Sequence, residues 1–243
     1  MMMTDRVVIY ARYWPVATAV QALLSDETSL TGVAVFSGDA LVAGLEGMRQ
    51  APVILGLNPH EHVEMLYRLQ PLLSGRPVLF VSRQFWWSDR MLPFLLGMTG
   101  VSFCSLDELD EVRRRRGGLR SVMSMPESCL PANEAEGTGE VRHGPLPGLL
   151  AWMNTRLQRQ LKRSLSGRER EILLILSAGA THTIPSKTLS LYKVRALSRA
   201  GMSRHAVSLF RGVTLRASLQ VPFPCPGEAG PADMIKNREE ETT

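Results

Sequence analysis

Over the first hundred residues, short and continuously apolar runs alternate with stretches whose apolar residues recur every three or four positions. Val7-Val-Ile-Tyr-Ala11, Gly32-Val-Ala-Val-Phe36, Pro52-Val-Ile-Leu55, Pro77-Val-Leu-Phe-Val-Ser82 and Val101-Ser-Phe-Cys104 read as strands. Runs this short and this apolar suit a parallel sheet covered on both faces. Between them, Pro15–Leu24, Ala40–Leu45 and His62–Leu73 carry helical spacing, with Pro71 ending or kinking the last. The pattern predicts an α/β unit over residues 5–118, a doubly wound five-stranded parallel sheet of βα units. Trp86-Trp87, near the start of a helical stretch, is expected to be core.

The rhythm changes after Glu111-Val-Arg-Arg-Arg-Arg116, which is expected to end the unit as a solvated helix terminus before Gly117-Gly118. Residues 119–147, with Pro126, Pro131, Pro145 and Pro147 among glycines and little periodicity, read as a linker. Leu149–Leu161 is a basic amphipathic helix able to pack on either side of that linker. Ser166–Gly179 and Pro185–Gly201 are two further helices. Residues 148–220 thus predict an all-α unit, and 221–243, rich in proline and acidic at Glu239-Glu-Glu241, a disordered tail.

Charge sharpens this division. Residues 1–110 carry 7 basic and 11 acidic side chains, whereas residues 111–243 carry 21 and 12. Residues 165–213 alone hold 8 basic against 2 acidic, which points to a polyanion-binding module. Cys104, Cys129 and Cys225 are few, odd in number and far apart, so neither a disulfide framework nor a zinc spacing is expected. With no secretory signal and no apolar run long enough to span a bilayer, the expectation is a cytoplasmic protein. The five histidines share no metal-ligand spacing, Ser82 has no triad partners, and no glycine-rich phosphate loop follows a strand. No enzyme activity, metal or cofactor is expected.

The most specific signal lies in Leu165-Ser-Gly-Arg-Glu-Arg-Glu-Ile-Leu173, closed by Gly179. It resembles the opening of the LuxR-type helix-turn-helix, the output domain of the FixJ and NarL response regulators. Ser166 suits an N-cap, Glu169 completes a capping box, and Gly179 suits a left-handed C-terminal position. Lys187–Met202 resembles the recognition helix of that family. Leu189, Tyr192, Ala196 and Ala200 form its expected buried stripe, with Lys187, Ser190, Leu191 and Val194 pointing away together. The resemblance implies that Lys187, Thr188, Ser190, Leu191, Lys193, Val194, Arg195 and Arg199 meet double-stranded DNA in the major groove. Arg204–Phe210 resembles the closing helix, which in some relatives dimerises.

The α/β unit then resembles a response-regulator receiver that lacks its switch residues. Where the family has an acidic pair after the first strand, this chain has Ala11-Arg12; where it has the phosphorylated aspartate, the third strand ends at Gly56. Ser82 keeps the hydroxyl, and Cys104-Ser105 replaces the lysine. No phosphorylation site and no magnesium site are expected. Receivers of this kind with LuxR-type outputs resemble the enterobacterial RcsA, BglJ and YjjQ group, whose pattern implies a homodimer or a heterodimer with a full response regulator.

The family usually places about thirteen residues, holding a positioning helix and a turn, between the closing glycine and the Lys-Thr pair. Here only the seven residues Ala180–Ser186 intervene, and Pro185 is among them. The first helix is therefore expected to fray, or the positioning element to shrink to a turn or loop, with Ser186 capping the next helix. Leu191 and Val194 place aliphatic groups where polar base readers are common, and Ala200 replaces a core leucine. Three functions stay open: a DNA-binding regulator, an interaction protein that modulates a response regulator without gripping DNA, and a small-ligand binder at the strand ends.

Overall fold

Along β1 (Arg6–Ala11), Val8 and Tyr10 enter one buried layer while Val7, Ile9 and Ala11 enter another, as the two-residue period of a doubly covered strand requires. The computed structural model describes residues 6–121, 146–202 and 205–223. β2 (Thr31–Val35), β3 (Val53–Gly56), β4 (Val78–Ser82) and β5 (Val101–Ser105) complete a five-stranded sheet. All neighbours are parallel and the order is β2-β1-β3-β4-β5. The order reverses between β1 and β3, which opens a crevice beyond the carboxyl ends of the strands.

Helices α1 (Trp14–Glu27), α5 (Leu106–Asp110) and α6 (Val112–Ser121) cover one face, closing Ala17, Val20, Leu24, Leu109 and Leu119 over Ile9, Ile54 and Leu79. Helices α2 (Gly38–Gly47), α3 (Val63–Leu73) and α4 (Trp87–Leu95) cover the other. Pro71 lies inside α3, close to its C-terminus, and does not break it. Trp87 is buried in the core on this face. The arginine run departs from its expected place, because Arg113–Arg116 stand in the first turns of α6 and not at a helix C-terminus. Arg115 and Arg116 reach Glu27 on α1 at 3.1 and 2.7 Å. Gly117-Gly118 does not stop the chain either. A Cβ at Gly118 would come 2.8 Å from Cys104 Sγ, so this glycine permits close helix–sheet approach, and Leu119 beyond it is fully buried.

Residues 122–145 of the expected linker lie outside the described residues; Leu146 and Pro147 already belong to α7 (Leu146–Ser164). Leu149, Leu150, Met153, Leu157 and Leu161 form its buried stripe and join the same core as Phe80, Leu66 and Leu92. This core continues through α8 (Gly167–Ala178), α9 (Ser186–Arg199) and α10 (Ala206–Gly212). Polar contacts fix the docking. Arg156 donates to the Leu95 carbonyl at 2.9 Å, Ser88 to the Arg211 carbonyl at 3.0 Å, and Arg211 pairs with Glu61 at 2.5 Å. Of the expected tail, Val221–Phe223 lie on the α/β unit. The Val221 N–H donates to the Glu61 carbonyl at 2.8 Å, and the Phe223 ring stands where a Cβ on Gly38 would be 2.8 Å away. Residues 224–243 lie outside the described residues. No helix among the described residues is long and apolar enough to cross a membrane.

Candidate nucleic-acid interface

Helix α8 begins as its sequence dictates. Ser166 accepts from the Glu169 N–H, and Glu169 accepts from the Ser166 N–H at 2.9 Å and from its hydroxyl at 2.8 Å. Gly179 closes the helix at φ 63°, a conformation that suits glycine. The following residues, Ala180–Pro185, form no helix. α9 then starts at Ser186 with Pro185 in the capping position and no side-chain cap, so Ser186 is the first helical residue and not the cap. Proline suits that place, since its fixed φ and missing N–H cost nothing at a helix entry.

α9 returns along α8, because Arg199 in its last turn meets Glu169 in the first turn of α8 at 2.9 Å. The Glu169 carboxylate is buried, and hydrogen bonds from Ser166, with Arg199 alongside, hold its pKa below the ordinary 4.5. The pair of helices is an αα-hairpin joined by an irregular connection, in the place where the family resemblance implies a positioning helix.

The predicted site residues separate on this hairpin. Lys187, Ser190, Leu191 and Arg195 are exposed on α9 at helical spacing, with half of the Leu191 surface open to solvent. Arg199 is exposed too, but its guanidinium is committed to Glu169. Thr188, Lys193 and Val194 are half-buried, which sets Val194 apart from the outward face expected for it. The buried side is centred on Ala196 and Leu197, while Leu189, Tyr192 and Ala200 are only half-buried. Leu197 was absent from the expected stripe. Its apolarity was visible, but matching the family spacing fixed the stripe about one residue away. Arg204 of the expected closing helix lies outside the described residues. α10 sits between α8 and α4, and Arg216 beyond it donates to the Ser177 carbonyl and caps the Phe210 ring at 4.0 Å.

At the strand ends the receiver-like positions converge. Gly56 pairs with Ala11 across β1 and β3, and a Cβ on Gly56 would come 2.7 Å from the Ala11 Cβ. Ser82 donates to Asn58 Oδ1 at 2.5 Å, and the Asn58 amide donates to the Gln84 carbonyl at 2.7 Å. Ser105 caps α5 through Glu108. His62 is buried with Nδ1 3.1 Å from the Asn58 carbonyl, so Nδ1 carries the proton, and burial lowers its pKa below the ordinary 6.5. The buried Asp89 accepts from the backbone and ring of His60 at 2.7 and 2.8 Å, fixing the turn Pro59–Glu61 that receives Arg211 and Val221.

No protein-family model matches the chain, and no curated protein matches it. Among solved structures it is similar to full-length FixJ from B. japonicum, at 15% identity over 86% of this chain and 96% of that one, with a TM-score of 0.39. It is also similar to the response regulator StyR, at 15% identity over 84% and 95% with a TM-score of 0.35. A third is the Salmonella typhimurium response regulator RcsB, at 14% identity over 85% and 97% with a TM-score of 0.33. The chain itself combines a five-stranded parallel α/β unit with a helical unit whose α9 carries an exposed cationic and aliphatic face.

Proposed function

We propose that the protein is a non-enzymatic, cytoplasmic transcription regulator of the LuxR type that binds double-stranded DNA through α9 and acts without phosphorylation. The observation that carries this reading is the exposed face Lys187, Ser190, Leu191 and Arg195 on a helix anchored from behind by Ala196, Leu197 and the Glu169–Arg199 pair. Lys187 and Arg195 would meet phosphates, Ser190 a base edge, and Leu191 a thymine methyl. With Gly56 and Arg12 in place of the carboxylates of a working receiver, control passes to abundance or partner choice, as in the RcsA, BglJ and YjjQ group. The partner would be a second copy or a full response regulator.

The test is an electrophoretic mobility shift with duplex fragments across a salt series, with and without a co-expressed response regulator. Binding should fall steeply with salt, and Lys187→Ala with Arg195→Ala should reduce the log–log slope by about 2. Absence of any shift, with or without the partner, would remove the reading.

The second reading is an interaction protein that modulates a response regulator and no longer grips DNA. The irregular Ala180–Pro185 connection favours it, since no helix there braces α9 against a duplex. Stable partner association with no mobility shift in any arm is its signature.

A further inference from the structure

The crevice where the strand order reverses holds a cavity of about 210 Å³ at the carboxyl ends of β1, β3 and β4. Open parallel sheets bind ligands at this place. Gly56 lines the cavity, and a Cβ there would stand 2.7 Å from the Ala11 Cβ and 3.3 Å from the Val16 side chain, so only glycine fits at this strand end. Tyr10, Val16, Val81 and Leu106 give it apolar walls, and the cavity is large enough for a ring or a short chain besides a polar head.

Its charge is distinctive. Arg12 and Arg83 both line the cavity and both are exposed. Among the described residues no ion pair engages either guanidinium. The one carboxylate in the lining, Glu61, is matched by Arg211 at 2.5 Å. Ser82 gives its hydrogen to Asn58 Oδ1, and the Asn58 amide gives its own to the Gln84 carbonyl and to Asp89. His62 gives its Nδ1 proton to the Asn58 carbonyl. The two guanidiniums are therefore the charged donors left to a ligand, and a planar fork of this type matches carboxylate and phosphate oxygens.

We propose that this cavity binds a small organic anion, a carboxylate or phosphate on an apolar body, with the anionic head held by Arg12 and Arg83. The body lies against Tyr10, Val16 and Leu106. Val221 forms part of the same wall, so the site is completed by the segment that follows the helical unit. This inference is independent of whether α9 binds DNA.

Isothermal titration calorimetry on the full chain tests it with phenyl phosphate and benzoate as probes, and with inorganic phosphate and benzyl alcohol for comparison. Saturable binding of phenyl phosphate or benzoate is expected, and the tighter of the two identifies the head group. Benzyl alcohol should bind at least about tenfold more weakly. Arg12→Gln combined with Arg83→Gln should weaken the preferred anion by about tenfold or more, with an unfolding midpoint near that of the parent. Inorganic phosphate binding more weakly than phenyl phosphate supports the role of the apolar walls. The proposal falls if neither aromatic anion binds saturably at millimolar concentration. It falls equally if benzyl alcohol matches them, or if a folded double variant binds as the parent does.

Discussion

The sheet and the α8–α9 hairpin are built on opposite terms. In the sheet, consecutive residues such as Val53-Ile54-Leu55 and Val78-Leu79-Phe80 are buried to within 1% of completely, on both faces. In the hairpin, α9 fully buries only Ala196 and Leu197, with Leu189, Tyr192 and Ala200 half-buried beside them, and the Ser166 capping box and the Glu169–Arg199 pair add polar support. The difference separates two tasks. The central strands β1, β3 and β4 exclude water at nearly every position, with β2 and β5 half-buried at the edges, so the middle of the sheet holds shape and offers little surface. A helix held along one side leaves its outer side, from Lys187 to Arg195, available to a partner, and it rests on fewer contacts.

The largest expected effect is in the sheet. Phe80→Ala removes a fully buried ring that stacks on Phe103 at 5.5 Å, and should cost about 3–5 kcal/mol of unfolding free energy in a urea titration. Because one core runs from β4 through α7 to α9, far-UV and near-UV signals should lose stability together. Leu197→Ala should cost less, about 2–3 kcal/mol, and the loss should appear first as faster amide exchange confined to α8 and α9. If exchange rises equally in β4, the contrast between the two regions is wrong.

Smaller effects depend on pH. The Glu169 pKa lies below 4.5 in the folded protein, so its contribution is present above 4.5 and is lost as pH falls through the depressed value. Glu169→Gln should flatten part of that acid limb and cost about 1 kcal/mol at neutral pH, since Arg199 is exposed and screened. Glu27 and Glu108 are also depressed, by Arg116 and by the Ser105 N–H respectively, and they keep the rest of the limb. His62 acts at higher pH. Its folded pKa is below 6.5 because burial disfavours the imidazolium, so the unfolded chain takes up the proton first. Stability should fall as pH drops below 6.5, and His62→Gln should remove that slope, read from denaturant midpoints at several pH values.

Every one of the five apolar runs became a strand, and β1, β3 and β4 were the most legible because a strand buried on both faces has little choice of residue type. Ser166, Glu169 and Gly179 were legible because a cap needs particular atoms at particular spacings. Gly117-Gly118 was not, since glycine serves equally to stop a helix and to let it approach a sheet; only the neighbouring Cys104 decides between them. The outward face of α9 was half legible. Lys187, Ser190 and Leu191 are where the pattern put them, whereas Val194 turns partly inward because Leu197 draws the buried side toward itself. At the strand ends, the missing carboxylates could be read directly. The cavity with two guanidiniums that make no ion pair among the described residues could not, since it depends on loops from separate strands meeting above Gly56.

The backbone bond from Val221 to Glu61, with Phe223 lodged beside Gly38, gives the helical unit a second anchorage. With α7 seated on α4 at one end and this segment at the other, the unit is mounted like a beam pinned at both supports, not like a cantilever on a tether. A cantilever swings freely, and its reach is set by the length of its leash. A pinned beam turns only when a support lets go. Any reorientation of α9 against the sheet would have to break the Glu61 contacts together with those of Ser88 and Arg156, and a bulky residue near Val221 would loosen one of these supports from outside the helical unit.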